Sequence, residues 1–262
     1  MQSGAEKDKM NKDMNKWISA VFSPTGGCSK IATAIAGTRL HRRFYFCAPV
    51  QPTEVSGSTP LLAVLPVYGG RLPAAGVQRL RALQGQGGPA IAVVVYGNRA
   101  YEDALLELHN TLTDAGFRVI AAAAFIAEHS IVRSIAPARP DAADLAQAVE
   151  FGNAAATKIA SGAQDSITVP GNAEYRPLPQ MPVTPMVTEA CGGCGMCAIK
   201  CPVEAIPADN PRSTDASRCI LCMRCVAICP RKARLLPPPA QAAFTERLSA
   251  VATEPKQPEI YL

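Results

Sequence analysis

Two runs of cysteine hold the residues best suited to chemistry in this chain. Residues 191–201 and 219–229 each read Cys-x2-Cys-x2-Cys-x3-Cys and then proline, and together they contain eight of the ten cysteines. Three thiolates at this spacing on a tight loop can reach three irons on one side of a cubane, and the fourth iron needs a ligand from elsewhere. Zinc favours Cys-x2-Cys pairs across a longer spacer, four ligands to a metal, which the repeated run fits poorly. Disulfides could also use eight cysteines, but they belong to oxidising compartments and no secretory context supports one. The spacing therefore points to [4Fe–4S] clusters, which chiefly carry one electron at a time.

A second stretch offers a different chemistry. Residues 16–22 form an apolar strand candidate, residues 23–29 read Ser-Pro-Thr-Gly-Gly-Cys-Ser, and Ile31, Ala32, Ile35 and Ala36 follow at helical spacing. Strand, hydroxyl- and glycine-rich loop, then helix presents backbone N–H groups and a helix N-terminus to an anion. Ser23, Thr25 and Ser29 add hydroxyls, Gly26 and Gly27 let the backbone approach, and Cys28 stands among them. Neither Gly-Lys-Ser/Thr nor GxGxxG is present, which disfavours a nucleoside triphosphate.

The elements that would position these residues alternate. Further strands are expected at 43–46, 61–67, 89–96 and 117–127. Residues 51–60 read as a polar connector. Helices are expected with Leu72, Gly76, Leu80 and Leu83 on one face, over 101–115, and over 141–161 with Leu145, Val149, Gly152, Ala156 and Ile159 inward. Such alternation predicts an α/β fold with a parallel sheet covered on both faces. Ligands of such sheets bind beyond the strand carboxyl ends. Three loops fall there: 23–29, then Tyr68, Gly69, Gly70 and Arg71, then Tyr96, Gly97, Asn98, Arg99 and Tyr101. The first suits a phosphate, and the other two offer aromatic rings and glycine-backed amides to a flat ring system.

The cysteine runs resemble those of bacterial two-cluster ferredoxins, in which the fourth cysteine of each run ligates the other cluster. Over residues 183–236 that resemblance implies one cluster on Cys191, Cys194, Cys197 and Cys229, and another on Cys201, Cys219, Cys222 and Cys225. The 23–29 loop resembles the phosphate loop of flavodoxins, whose ligand is FMN. Cys28 stands where flavodoxins usually have threonine, and Ser29 is the candidate substitute. FSPTG at 22–26, PVYGGRLP at 66–73, YGNRAYEDAL at 96–105 and AEHS at 127–130, followed by the cysteine runs, are similar to the flavodoxin–ferredoxin fusion family of bacteria and archaea. The resemblance spans roughly residues 16–236. It implies a flavodoxin-like doubly wound five-stranded sheet of order 2-1-3-4-5, then an α+β ferredoxin-like domain. FMN would sit on Ser23, Thr25, Gly26, Gly27, Cys28, Ser29, Tyr68, Gly69, Gly70, Tyr96, Gly97, Asn98, Arg99 and Tyr101.

The expected organisation is a polar, disordered tail at 1–15, an FMN domain at 16–165, a proline-rich linker at 166–182, a ferredoxin domain at 183–240 and a C-terminal tail at 241–262. Residues 240–252 are a helix candidate, and the last ten are unassigned. The tail lacks the apolar core of a signal peptide, and the longest apolar run, 119–127, is too short to cross a bilayer. Eight metal-binding thiolates and no export signal place the chain in a reducing cytoplasm. The net charge is +5, and thiolate-bound clusters would offset it, so nucleic acid is not an expected partner. Redox proteins and a second copy of the chain are.

His129, near the expected flavin end, reads as a structural histidine or as a donor to flavin. Cys47 reads as a small hydrophobe. Cys28, at a helix N-terminus, could have a depressed pKa. Arg71 and Arg99 would neutralise reduced flavin or face water, and Glu102 and Asp103 would favour a helix start. The expected function is electron transfer between two clusters and FMN, interconverting one- and two-electron chemistry. The alternatives are a cluster-fed flavin reductase of a small molecule and a redox or iron sensor.

Overall fold

The computed structural model describes residues 16–178 and 183–262; the 1–15 tail and the last four linker residues lie outside the described residues. Strands β1 (Trp17–Val21), β2 (Leu40–Tyr45), β4 (Leu61–Pro66), β6 (Pro89–Tyr96) and β7 (Arg118–Ile126) pair in parallel in the order β2-β1-β4-β6-β7. Counted along the chain this is the expected 2-1-3-4-5. All six residues of β4 and all eight of β6 are buried, as parallel strands covered on both faces require.

The two faces of each strand feed two cores. On one, Val21, Leu62, Val64, Ile91, Val93 and Phe125 meet Ile31 and Ile35 of α1 (Gly27–Ala36) and Phe151, Ala155 and Ile159 of α4 (Ala142–Ala160). On the other, Ala63, Leu65, Ala92 and Val94 meet Leu80 of α2 (Ala74–Leu80) and Leu105, Leu108 and Leu112 of α3 (Ala104–Asp114). The packing face of α4 keeps the expected Gly152 and Ile159 buried and Leu145 and Ala156 against the core, and departs from expectation at Val149. Ala148, Phe151, Gly152 and Ala155 face inward, while Val149 is 45 % exposed. Gly152 allows close approach to α1, because a Cβ there would lie 2.1 Å from the Ile35 carbonyl oxygen. Gly152→Ala is therefore expected to destabilise the chain by about 1–3 kcal/mol, as overpacking does. Urea denaturation followed by circular dichroism checks this.

Two further departures reflect long-range pairing. The 51–60 stretch contains β3 (Thr53–Val55), which pairs in parallel with β5 (Leu83–Gly85). The helix expected to run through Leu83 stops at Leu80 because Gly85 N–H donates to Ala115 O at 2.8 Å and Leu83 is buried. The C-terminus is built into the fold. Helix α7 (Pro238–Ser249) crosses from the cysteine-rich segment, and β10 (Glu259–Tyr261) adds antiparallel to the free edge of β7. Among the described residues no helix is long and apolar enough to cross a membrane.

Candidate metal centre and adjoining cleft

The two cysteine runs fold as copies of each other. Gly193 and Gly195 have φ of 70° and 70°, and the equivalent Leu221 and Met223 have 50° and 59°. Each pair leads into one short turn of helix, α5 (Met196–Ile199) or α6 (Arg224–Ala227). Three residues past the last cysteine of each run, Glu204 and Lys232 have φ of 52° and 50°. One residue further, Ala205 N–H donates to Cys201 Sγ at 3.3 Å and Ala233 N–H to Cys229 Sγ at 3.2 Å. Left-handed backbone at Leu221, Met223, Glu204 and Lys232 costs about 1 kcal/mol or more each, the kind of strain that concentrates at functional sites. The short strands β8 (Met186–Val187) and β9 (Arg234–Leu235) close the segment.

Cys201, from the first run, converges with Cys219, Cys222 and Cys225 of the second on one cavity. Burial pushes the Cys222 thiol up to about 12, with Cys225, Cys201 and Cys219 adding to it. Burial likewise brings Cys225 to about 11. Four crowded sulfurs are costly to ionise without a cationic partner, and a coordinated metal removes that cost by deprotonating them. No three His, Cys, Asp or Glu among the described residues close on a site for a single ion; these four surround a cavity. At the far end Cys194 is exposed. Arg212 donates to Cys191 O at 3.0 Å there, and Arg231 packs against Gly192.

A cleft of about 880 Å³ opens at the carboxyl ends of the parallel strands. Of the expected ligand-binding residues, Ser23, Thr25, Gly27, Cys28, Tyr68, Gly69, Tyr96, Gly97 and Arg99 line it. So do Cys219, Ile220 and Leu221 of the second cysteine run, and Phe244, Arg247 and Leu248 of α7. The first N–H groups of α1 have no partner inside the helix. Ser29 N–H is taken by Ser23 Oγ at 3.0 Å, no acidic residue lies in the first turn, and Gly26 caps the helix at φ 100°. This end of the cleft therefore favours an anion. Gly27 is needed for close packing, since a Cβ there would lie 3.0 Å from that of Ala127.

The remaining expected residues lie off the cleft lining or serve the fold. Gly69 and Gly70, with φ of 60° and 86°, make a tight turn in which Tyr68 N–H donates to Arg71 O at 2.8 Å. Gly70 is closed off by Glu102. Asn98 is 2 % exposed and committed to the C-terminal segment. Its Nδ2 donates to Ala252 O at 2.6 Å and Glu254 O at 2.9 Å, and its Oδ1 accepts from Lys256 N–H at 3.2 Å. The Tyr101 hydroxyl donates to Glu259 at 2.6 Å, and its ring meets Tyr96 edge-on at 5.4 Å. Arg71 is held by Glu107, with both guanidinium contacts at 2.8 Å, so it does not face water. Glu102 bridges Arg99 and Arg176, and Asp103 accepts from Asn172 and Arg176. Cys28 is not an activated thiol. It is 4 % exposed, and burial, reinforced by Cys47, raises its pKa far above the usual thiol range despite the helix terminus.

His129 has a structural role and also lines the cleft. Its Nδ1 accepts from Ile131 N–H at 3.2 Å and Val132 N–H at 3.1 Å, which leaves the proton on Nε2 of a ring that lines the cleft. Burial, with the Arg99 charge, lowers its pKa from 6.5 to about 4. The unfolded chain then binds the extra proton, so stability is lost as pH falls from 6.5 towards 4. In His129→Asn, whose amide oxygen can accept the same N–H groups, that loss should be smaller by on the order of 1–2 kcal/mol, discounted for the half-buried ring. Urea denaturation of both chains at the two ends of this range checks it.

Two arginines join the halves of the molecule. Arg79 of α2 donates to Phe46 O and, across the interface, to Pro202 O beside Cys201. Arg224 of α6 donates back to Ser23 O at 3.3 Å and Pro24 O at 3.2 Å. Ile131 and Phe244 pack against both of the small apolar clusters that seal the cleft. No sequence period signals these contacts.

Residues 186–230 match the family described as 4Fe-4S dicluster domain. No curated protein matches the chain. Among solved structures, a flavodoxin from the domain Archaea is 14% identical, with a TM-score of 0.38 over 55% of this chain and 99% of that one. The metal-soaked Flv1 flavodiiron core from Synechocystis sp. PCC6803 is 14% identical, with a TM-score of 0.40 over 61% of this chain and 40% of that one. A sheet in flavodoxin order followed by a dicluster segment is consistent with a flavodoxin–ferredoxin fusion.

Proposed function

We propose that the chain is an iron–sulfur flavoprotein that passes electrons between two [4Fe–4S] clusters and FMN. The observation that carries this reading is the shared wall: Cys219, Ile220 and Leu221 of the second cysteine run line the same cleft as the 23–29 loop, Tyr68 and Tyr96. When bound, the clusters would supply one-electron carriage and the flavin one- or two-electron carriage. Cys201, Cys219, Cys222 and Cys225 would hold the cluster beside the cleft. Cys191, Cys194, Cys197 and Cys229 would hold the outer one, whose ligand Cys194 is exposed. Ser23, Thr25 and the first amides of α1 would bind the phosphate, with Gly27 allowing the approach. Tyr68, Gly69, Tyr96, Gly97 and Arg99 would wall the flat ring, and Leu221 and α7 would keep water from it. An outer protein partner would meet the end marked by Cys194, Met196 and Ile199, the last two 41 % and 72 % exposed.

The volume of the cleft favours one further reading, a flavin reductase of a small molecule. It lies near the top of the ~300–1,000 Å³ range of small-ligand sites, which leaves room beside a flavin. Oxidation of the pre-reduced chain by a candidate substrate, faster than by solvent oxygen, would favour this second role.

Anaerobic purification with iron, sulfide and flavin assayed per chain tests the proposal. About eight irons and one FMN are expected. A full iron complement in a chain that cannot be reconstituted with any flavin would overturn the flavin half.

A further inference from the structure

Arg224 lies between Met223 and Cys225, within the second cysteine run, yet its side chain reaches into the other domain. Nη1 donates to Ser23 O at 3.3 Å and Pro24 O at 3.2 Å, backbone carbonyls of the loop that leads into α1. The same residue lines the cavity on which Cys201, Cys219, Cys222 and Cys225 converge. Its Nε is buried, with no hydrogen-bond partner among the described residues. A buried guanidinium N–H without an acceptor is costly, the more so because the group is charged. An unpartnered N–H on a residue that lines the cavity of these four cysteines is a reason to look for its acceptor among their sulfurs.

We infer that Arg224 is the link through which the inner cluster and the 23–29 loop act on one another. Its Nε–H donates to a sulfur of the cluster held by Cys201, Cys219, Cys222 and Cys225, while Nη1 braces the loop carbonyls from behind. The inference rests on the cofactor reading above. Hydrogen bonds to cluster and ligand sulfurs favour the reduced, more negative state and so raise the reduction potential. A loop that shifts when the phosphate site is filled would move Arg224 with it, so flavin binding and the inner potential become linked. By reciprocity, inner-cluster reduction changes flavin affinity by the same factor. The outer cluster, on Cys191, Cys194, Cys197 and Cys229, lies outside this link and serves as the internal reference.

The test is a redox titration, monitored by electron paramagnetic resonance, of the full chain with and without FMN, in wild type, Arg224→Lys and Arg224→Met. In Arg224→Met the inner cluster is expected to become at least tenfold harder to reduce, 59 mV for one electron. The outer cluster should stay in place, and FMN should no longer shift the inner potential. Arg224→Lys keeps the charge and lacks Nε, so it is expected to restore loop bracing and flavin affinity in part while the inner potential stays low. Unchanged inner potential in Arg224→Met, equal shifts in both clusters, or full recovery of the potential by lysine would overturn the inference. Iron and flavin content are read on the same samples. A wild type lacking the inner cluster or the flavin would fail the cofactor reading, whereas a loaded chain with unmoved potentials fails this one alone. If Arg224→Met does not fold, the lysine arm and the FMN dependence of the wild-type inner potential still decide it.

Discussion

Cys201→Ser and Cys219→Ser are expected to remove the same cluster, although the two residues belong to different cysteine runs. Each variant should retain roughly four of about eight irons and should lose the exchange of electrons between iron and flavin. Cys194→Ser should also retain roughly four irons, but with that exchange intact. Cys201 shares a cavity with Cys219, Cys222 and Cys225, and Cys219 also lines the cleft, whereas Cys194 faces solvent. Spectra of the remaining cluster in Cys201→Ser should match those of Cys219→Ser and differ from those of Cys194→Ser. A Cys201→Ser chain indistinguishable from Cys194→Ser would mean that each run binds its own cluster, and the crossed assignment would be wrong.

Loss of phosphate contacts in the 23–29 loop is the second large effect expected. Thr25 is exposed to the cleft, and Ser23 shapes the loop by accepting the Ser29 amide at 3.0 Å. A hydrogen bond to a charged group contributes about 1.5–3 kcal/mol, so Thr25→Val should weaken FMN by roughly 10- to 100-fold. Ser23→Ala should weaken it at least as much, because it loosens the α1 entrance as well. Riboflavin, which lacks the phosphate, separates the causes. Its affinity should be nearly unchanged in Thr25→Val and lower than that of FMN in wild type. Flavin fluorescence titration reads both ligands. Equal losses for riboflavin and FMN would locate Thr25 against the ring rather than the phosphate.

What could be read from the sequence was what local spacing dictates. The repeat of Cys-x2-Cys-x2-Cys-x3-Cys-Pro is a local constraint, and its two copies fold alike down to the φ angles of Gly193 with Leu221 and Gly195 with Met223. Buried parallel strands announce themselves as apolar runs, as β1, β4, β6 and β7 do, and their alternation with helices leaves few topologies. What was hidden depends on partners far away in the chain. Asn98 and Tyr101 stand in a loop of the right kind, but their polar atoms meet residues 154 and 158 positions further on. Arg224 reaches back across 200 positions to Pro24. Strand β10, three residues long, carries too little pattern to identify without the β7 edge it completes. Spacing places Gly152 inward, but it cannot show that Ile35 O lies against it and leaves no room for a side chain, nor that Ala148 takes the inward place expected of Val149.

Electron exchange between clusters and flavin within one chain would cross the wall formed by Cys219, Ile220 and Leu221. It is tested most directly by reducing the fully loaded chain anaerobically with a stoichiometric one-electron donor. Flavin and cluster absorbance are then followed by rapid mixing over a range of protein concentrations. Cluster bleaching is expected to precede flavin reduction, with a transfer rate independent of protein concentration and abolished in Cys219→Ser. A rate rising in proportion to concentration, or flavin reduced equally fast in Cys219→Ser, would contradict it.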